Sequence, residues 1–157
     1  MGLPALAPAI ELVAIHDAVR PCLAGPWIDR VFKRAAADGA AILAVPVTDT
    51  LKRADGAGRV AGTFERKGLW SAQTPQVFRH ELLRRAYATP ESGEPATDDA
   101  QLIERLGEPV TLVEGSPLNR KITTAEDLKL AEQILRVLPK PKVGGLAHPF
   151  AADDLFR

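Results

Sequence analysis

Short apolar runs alternate with a segment of helical period along the first third of the chain. Residues 11–15 (ELVAI) and 41–47 (AILAVPV) are nearly continuous apolar runs, the pattern of buried strands. Between them, residues 26–38 place apolar side chains at helical spacing, with Pro26 suited to the first turn and Gly39 to the end. Strand, helix and strand in this order predict a βαβ unit, whose two strands are parallel.

A polar stretch at residues 48–66 interrupts this pattern. Two short runs flank the turn sequence DGAG at 55–58, which predicts a β-hairpin. Because an isolated two-stranded hairpin is marginal in water, we expect this one to lean on a second subunit. Residues 69–78 (LWSAQTPQVF) predict a further strand, in which Pro75 indicates a sheet edge or a bend.

The rest of the chain predicts helices, one more strand and a tail. Helices are expected at 79–88, at 97–106, and from a capping box of Thr123 and Glu126 through residue 138. Residues 110–113 predict a strand, and residues 139–157 have no period and are expected to be a tail. Ligands of open parallel sheets bind beyond the carboxyl ends of the strands, so Asp17 and Arg20 are expected in a site.

The composition argues against several classes of function. Lys plus Arg equals Asp plus Glu at 20 each, so the zero net charge does not favour a nucleic-acid or membrane-surface binder. The sequence predicts no signal peptide and no membrane span. The single cysteine, Cys22, rules out an intrachain disulfide and is expected to be a packed thiol in a cytoplasmic protein.

Cations and hydroxyls at the ends of predicted elements are the groups left for chemistry. The sequence contains no GxSxG, HExxH, CxxC, P-loop or GxGxxG motif. A phosphate monoester, with several acceptor oxygens and about two negative charges, is the ligand that suits Arg, Lys and Thr side chains. The candidates are Arg20, Thr50, Lys52, Arg66, Thr74, Thr97 and Lys121.

These candidates also have interpretations that involve no function. Asp17 and Arg20 fit a local ion pair, and Thr97 fits a helix N-cap. His16 is better explained as a hydrogen-bonded structural group than as a general base. Solvated surface charge is an alternative for Lys52, Arg66 and Lys121.

Five segments, taken together, resemble one protein family. They are HDAVRP (16–21), PVTDTLK (46–52), RKGLWSAQTPQ (66–76), TDD (97–99) and NRKIT (119–123). In this order and spacing, from about residue 11 to about residue 138, the chain is similar to the 2-C-methyl-D-erythritol 4-phosphate cytidylyltransferases of non-mevalonate isoprenoid biosynthesis.

The resemblance implies an activity and a fold. The activity is transfer of CMP from CTP to methylerythritol 4-phosphate, with release of pyrophosphate and with Mg²⁺ as cofactor. The implied fold is a doubly wound, mostly parallel α/β sheet of nucleotidyltransferase type. A protruding β-arm at about residues 48–66 would clasp a second subunit in a homodimer.

The resemblance also assigns roles to the candidate residues. Asp17 and Arg20 match the HDAxRP motif at the active centre, where Asp17 is also a candidate Mg²⁺ ligand. Thr97 and Lys121 match positions near the reacting phosphate, and Lys121 is expected to be catalytic. The remaining substrate-binding candidates are Thr74 in the pocket and Thr50, Lys52 and Arg66 on the arm, of which Thr50 and Arg66 match residues that reach the partner's site. Catalysis would consist of positioning and charge neutralisation during in-line attack on the α-phosphorus of CTP.

The sequence departs from the family pattern at its beginning. Family members start with a strand and a glycine-rich loop whose backbone N–H groups cradle the triphosphate, whereas residues 1–16 contain no Lys or Arg. Residues 1–138 are therefore expected to be the C-terminal part of a cytidylyltransferase domain, incomplete at the N-terminus. This part would carry the phosphosugar half of the site and be inactive alone. The alternatives are a ribitol-phosphate cytidylyltransferase and a degenerate, non-catalytic dimerisation module.

Overall fold

Residues 9–89 and 95–139 are the part of the chain that the computed structural model describes, and they form an α/β fold. The strands are β1 (Leu12–Ile15), β2 (Ala40–Pro46), β3 (Leu51–Ala54), β4 (Val60–Phe64), β5 (Trp70–Arg79) and β6 (Thr111–Glu114). The helices are α1 (Gly25–Asp38), α2 (His80–Ala88), α3 (Asp99–Arg105) and α4 (Ala125–Val137). None of these helices is long and apolar enough to span a bilayer. The predicted tail lies outside the described residues except for its first residue.

The main sheet is mixed rather than mostly parallel. Its strand order is β1-β5-β2-β6, in which β5 pairs antiparallel with both β1 and β2, and only β2 and β6 pair in parallel. The prediction of a mostly parallel sheet is therefore wrong for the described strands. The physical reason is that a hairpin, not a crossover helix, connects β2 to β5, so β5 returns in the opposite direction. β1 and β2 do run in the same direction, as predicted, with β5 between them.

β5 is a central strand that is irregular in its middle. The expectation that Pro75 marks a sheet edge is wrong, because β5 has a neighbour on each side. The expected bend is present: the register of β5 against β2 shifts between Ile42 and Ala44, opposite the Thr74–Pro75 bond, which is cis. Proline has no N–H to donate to a neighbouring strand. The central strand tolerates it here because the regular hydrogen bonding to β2 is interrupted at the register shift.

Helices cover both faces of this sheet, which agrees with a doubly wound arrangement. On one face, Trp27, Val31 and Ala35 of α1 pack against residues 41, 43 and 77 of the strands. On the other, Leu83 of α2 and Ile103 of α3 pack against residues 40, 42 and 78. The strand residues alternate between the two faces because successive side chains of a strand point in opposite directions.

Two helices begin one residue later than their predicted caps. The N-cap of α3 is Asp98 rather than Thr97, and its carboxylate accepts from the backbone N–H of Gln101. The capping box of α4 is formed by Thr124 and Asp127, not by Thr123 and Glu126. In both places two neighbouring residues can cap, and the helix begins at the one whose side chain faces the free N–H groups.

β3 and β4 form a separate two-stranded antiparallel sheet, the predicted hairpin. At the turn, Asp55 Oδ1 accepts from the backbone N–H groups of Ala57 and Arg59, and Gly58 has a φ of 76°. The guanidinium of Arg53 stacks over the ring of Phe64 at 4.5 Å. That this hairpin is an arm for a second subunit stays a prediction.

Candidate functional site

Three segments that are distant in sequence meet at one edge of the sheet. β1, β2 and β6 run in the same direction, so the loops that follow their carboxyl ends lie at that edge, beside the irregular middle of β5. The backbone N–H of Asp17, after β1, donates to Thr74 Oγ1 at 3.0 Å. The N–H of Ile122, in the loop after β6, donates to the carbonyl of Val19 at 2.8 Å. These bonds join the three segments into one surface.

Two cations share one carboxylate on this surface. Asp17 Oδ2 lies 3.4 Å from Arg20 Nε and 3.3 Å from Lys121 Nζ. A second nitrogen of Arg20, NH1, donates to the carbonyl of Asn119 at 2.8 Å. Both ion pairs are long, and most of the N–H donors of the two cations are left for other acceptors. The structure thus brings together the three predicted catalytic residues.

A pair of buried amides lies beneath the two cations. Gln73 and Asn119 are 6% and 0% exposed. Asn119 Nδ2 donates to the carbonyl of Thr74 at 2.8 Å and lies 3.4 Å from Gln73 Oε1. Gln73 Nε2 donates to the carbonyl of Ser116 at 2.9 Å, and Gly115 leaves the room that the Gln73 amide occupies. This pair connects β5 to the loop that carries Lys121.

The hydrogen bonds of His16 define its tautomer. Its Nε2 lies 3.0 Å from the carbonyl oxygen of Arg20, which can only accept, so Nε2 carries the proton. In the neutral ring Nδ1 is then an acceptor, and Thr74 Oγ1 donates to it at 2.9 Å while accepting from the N–H of Asp17. Both ring nitrogens are engaged, which confirms the interpretation of His16 as a hydrogen-bonded structural group.

The other predicted binding residues are not brought to Asp17. Among the described residues, no hydrogen bond or ion pair links Thr50, Lys52 or Arg66 of the hairpin region to the cluster of Asp17, Arg20 and Lys121. Lys52 Nζ instead donates to Thr63 Oγ1 at 2.6 Å, and Arg66 is exposed.

Thr97 itself does not contact the cluster, and the residue after it provides the link to β5. Its own backbone N–H donates to Gln101 Oε1 at 2.8 Å, and its side chain is exposed. The next residue, Asp98, accepts from Gln76 Nε2 at 2.8 Å, and Gln76 is buried in β5 two residues after Thr74. The start of α3 is therefore anchored to the strand that carries Thr74.

Asp127 organises the loop on the far side of Lys121. Its Oδ1 accepts from Arg120 Nε at 2.8 Å, and its Oδ2 accepts from the backbone N–H groups of Thr123 and Thr124, both at 3.1 Å. The Arg120 guanidinium, followed by the Thr123 backbone N–H, holds the pKa of the Asp127 carboxyl well below its ordinary value. Lys121 therefore sits between two residues, 120 and 123, that are tied to the start of α4.

The described residues do not form a metal site of their own. Within 9–89 and 95–139, no three His, Cys, Asp or Glu side chains form a group that could hold a metal ion. Asp17 offers one carboxylate, and its Oδ2 already contacts two cations. A hard cation such as Mg²⁺ would need further oxygen ligands, which a nucleotide's phosphates commonly supply.

Cys22 is a packed thiol, as predicted. It is completely buried against α4, and its Sγ lies 3.7 Å from the carbonyl of Ala131. Burial raises the pKa of the Cys22 thiol, which disfavours the nucleophilic thiolate.

A cavity of about 880 Å³ lies at the opposite end of the sheet, and it does not include the cluster. Two of its arginines are already engaged: Arg79 donates to the carbonyl of Ala36 and Arg85 pairs with Glu108. The other charged residues of its lining include both acidic and basic side chains, so the cavity has no excess of positive charge that would attract an anion. The cluster of Asp17, Arg20 and Lys121 is therefore the candidate site.

Gln73 and Asn119 were not predicted as site residues. Both lie inside segments that were recognised, yet neither carries a charge or a hydroxyl. The available signal was the polar sequence QTPQ in the middle of a predicted strand, because polar side chains that a strand buries require buried partners.

Comparison with known proteins gives a consistent match. The family model of 2-C-methyl-D-erythritol 4-phosphate cytidylyltransferase matches residues 1–137. The enzyme of that name from Shouchella clausii is 52% identical over 127 residues, 80% of this chain and 55% of its own. The bifunctional enzyme IspD/IspF of Desulfotalea psychrophila is 50% identical over 158 residues, 98% of this chain and 40% of its own.

The solved structures agree with the sequence matches. The crystal structure of 2-C-methyl-D-erythritol 4-phosphate cytidylyltransferase from Thermus thermophilus superposes with a TM-score of 0.76 at 42% identity, covering 82% of this chain and 64% of that one. This chain spans about half the length of the curated relatives it matches. The family match covers nearly all of the described residues, and the chain belongs to the 2-C-methyl-D-erythritol 4-phosphate cytidylyltransferase family.

Proposed function

We propose that this chain binds 2-C-methyl-D-erythritol 4-phosphate as part of an enzyme that transfers CMP to it from CTP. The observation that carries the proposal is the convergence of Arg20 and Lys121 on Asp17 Oδ2. These cations come from loops after β1 and β6, so only the fold makes them neighbours. Their spare N–H groups suit the oxygens of a phosphate monoester, and Asp17 can accept from hydroxyls of the polyol.

The charge of the cluster suits a monoester better than a triphosphate. Two cations and one carboxylate give one net positive charge, against about two negative charges on a monoester. A nucleoside triphosphate carries about four negative charges and would require more cations than this cluster provides. We therefore propose that these residues form the phosphosugar half of the site and that the chain alone does not turn over CTP. Mg²⁺ would be held mainly by nucleotide phosphates, with Asp17 as a candidate ligand.

Calorimetric titration with methylerythritol 4-phosphate tests the binding step. We expect the wild-type chain to bind it and Arg20→Ala or Lys121→Ala to weaken binding about 10- to 100-fold, since each removes a charge-assisted hydrogen bond. Lys129→Ala, which removes an exposed lysine of α4, is the matched control and should leave the affinity unchanged. Equal affinities for all four proteins would contradict the proposal.

Pyrophosphate release tests the nucleotide step separately. With CTP, Mg²⁺ and methylerythritol 4-phosphate, we expect no turnover by the chain alone. Turnover at the rate of a full-length family member would show that the proposed limitation to the phosphosugar half is wrong. Titration with ribitol 5-phosphate under the same conditions addresses the ribitol alternative, which the family match does not favour.

We further propose a homodimer formed through the β3–β4 hairpin. Val60 and Phe64 of β4 and Trp70 at the start of β5 are exposed, and two strands alone have little stability in water. In the dimer, Thr50 and Arg66 would lie within reach of the partner's cluster, and Lys52 would lie on the arm. Val60→Asp is expected to give a monomer in analytical ultracentrifugation. Val137→Asp is the control, because Val137 of α4 is 69% exposed and Val60 is 67% exposed.

The same variants test whether Arg66 acts across the dimer. Arg66→Ala should weaken methylerythritol 4-phosphate binding in the dimer and have no further effect in the Val60→Asp background. An equal loss in both backgrounds would place Arg66 in its own subunit's site and remove the shared-site proposal.

A further inference from the structure

We propose that Asn119 is a positioning residue that orients Arg20 and Thr74 for the phosphosugar; the inference rests on the proposed function. Asn119 has no exposed surface, so it cannot contact a ligand that arrives from solvent. Its contacts, however, reach two candidate residues. Its backbone carbonyl accepts from Arg20 NH1 at 2.8 Å, and its side-chain Nδ2 donates to the carbonyl of Thr74 at 2.8 Å.

These two contacts make Asn119 the link between β5 and the Arg20 guanidinium. The side-chain bond to Thr74 fixes where residue 119 lies relative to the strand. That position in turn fixes the carbonyl on which Arg20 NH1 rests, so the remaining N–H groups of Arg20 keep one direction. Without the side-chain bond, residue 119 is still held by its backbone N–H, which donates to the Ser116 carbonyl at 3.0 Å, and by Gln73 Nε2, which lies 3.4 Å from its carbonyl oxygen. The tie to β5 through Thr74 is lost, so the carbonyl can shift and Arg20 can turn toward Asp17 Oδ2, now 3.4 Å from its Nε. A guanidinium that pairs closely with Asp17 competes with the phosphate.

The orientation of the Asn119 amide follows from its neighbours. Nδ2 faces two acceptors, the Thr74 carbonyl and Gln73 Oε1, so the reversed amide would place Oδ1 against both. In the present orientation Oδ1 is buried and has no hydrogen-bond partner among the residues that the structure describes. The tie between residue 119 and β5 is made by Nδ2 alone, so this donor is the part of the side chain that the positioning role requires.

The consequence is testable on the full chain by two independent measurements. Asn119→Ala should weaken methylerythritol 4-phosphate binding about tenfold, although the residue does not reach the ligand. The Arg20 Nε–H signal in NMR, assigned by its loss in Arg20→Lys, should show restricted guanidinium rotation in the wild type and averaged rotation in the variant. The NMR measurement needs no ligand, so it decides the role of Asn119 even if the wild type binds no phosphosugar and the proposed function fails.

Two further variants separate positioning from stability. Asn119→Leu keeps the branched shape and has no donor, so it should reproduce both effects if Asn119→Ala does not fold. Leu83→Val, in the buried cluster on the other face of the sheet, should lower the melting temperature without changing the Arg20 signal or the affinity. Unchanged Arg20 rotation and unchanged affinity in a folded Asn119 variant would overturn the inference.

Discussion

Gly115→Ala tests whether the buried amide pair holds the site loop in place. A Cβ added at Gly115 would lie 2.3 Å from Gln73 Oε1, 3.4 Å from Gln73 Cδ and 3.5 Å from the carbonyl oxygen of Ala44. Only the contact with Oε1 is far inside van der Waals range. The Gln73 amide must therefore move, although it is buried and bonded to Ser116.

The expected loss of stability can be worked out from these contacts. Displacement of the amide breaks the 2.9 Å bond from Gln73 Nε2 to the Ser116 carbonyl, worth about 1 kcal/mol. Overpacking in a tight interior adds to this, within a total of roughly 1–3 kcal/mol. Replacing glycine removes about 0.4–1 kcal/mol of unfolded-chain entropy in the opposite direction. We therefore expect a net loss of about 1–2 kcal/mol, a fall of roughly 3–8 °C in Tm.

Thermal unfolding of a double-variant cycle measures the effect and its cause. In the Gln73→Ala background the clashing atom is absent, so Gly115→Ala should there cost less than about 0.5 kcal/mol. Gly25→Ala is the control, because a Cβ at Gly25 meets nothing within 4 Å. If Gly115→Ala is equally destabilising with and without the Gln73 side chain, the amide pair is not what the glycine accommodates.

Three further predictions concern stability. The lowered Asp127 pKa stabilises the folded state at a pH above the ordinary carboxyl pKa, and this stabilisation is lost as pH falls below about 4. Asp127→Asn should therefore make the free energy of unfolding less dependent on pH in this range, which urea unfolding at pH 3 and pH 6 will measure. Burial, followed by the hydrogen bond to Asp99, raises the pKa of Tyr87 to about 12. Wild-type stability should therefore decrease as pH rises from about 10 to 12, and Tyr87→Phe should remove this decrease; the effect is below about 1 kcal/mol because Tyr87 is 40% exposed. Leu43→Ala, in the fully buried centre of β2, should cost about 2–5 kcal/mol by urea titration, and a loss below 1 kcal/mol would show that this core is loosely packed.

The sequence predicted the elements better than their pairing. The apolar run of β2 and the helical period of α1 are local patterns that burial alone produces, so both elements appear where they were expected. The neighbours of β5 are not a local property. Its position between β1 and β2 depends on the hairpin that reverses the chain, and no feature of residues 69–78 reports that reversal. Pro75 was misleading because a bulge in a central strand tolerates proline as well as an edge does.

The site shows the same division between local and non-local information. Asp17 and Arg20 follow a strand, so the strand-end rule made them site candidates from the sequence. Lys121 was a candidate as a cation at the end of an element, and the family resemblance added its expected catalytic role. Asn119 was missed because an asparagine in a loop is usually exposed and is best explained by turn formation. Only its burial against β5 distinguishes it, and that burial requires contacts with residues about 45 positions away.

The position of the Asp17 carboxylate explains how two cations can lie side by side before an anion binds. Arg20 and Lys121 both contact Asp17 Oδ2, and without a negative charge there the two cations would repel each other. Asp17 Oδ2 supplies that charge, and at 3.4 and 3.3 Å it does so through long pairs that are easily exchanged. On the proposed function, an arriving phosphate would take over donors that are already oriented, while the hydrogen bonds through His16, Thr74 and Asn119 hold the backbone beneath them in place. We therefore propose that binding exchanges one acceptor for another and does not require assembly of the site, because donors fixed in advance are what makes charge neutralisation effective in a transition state.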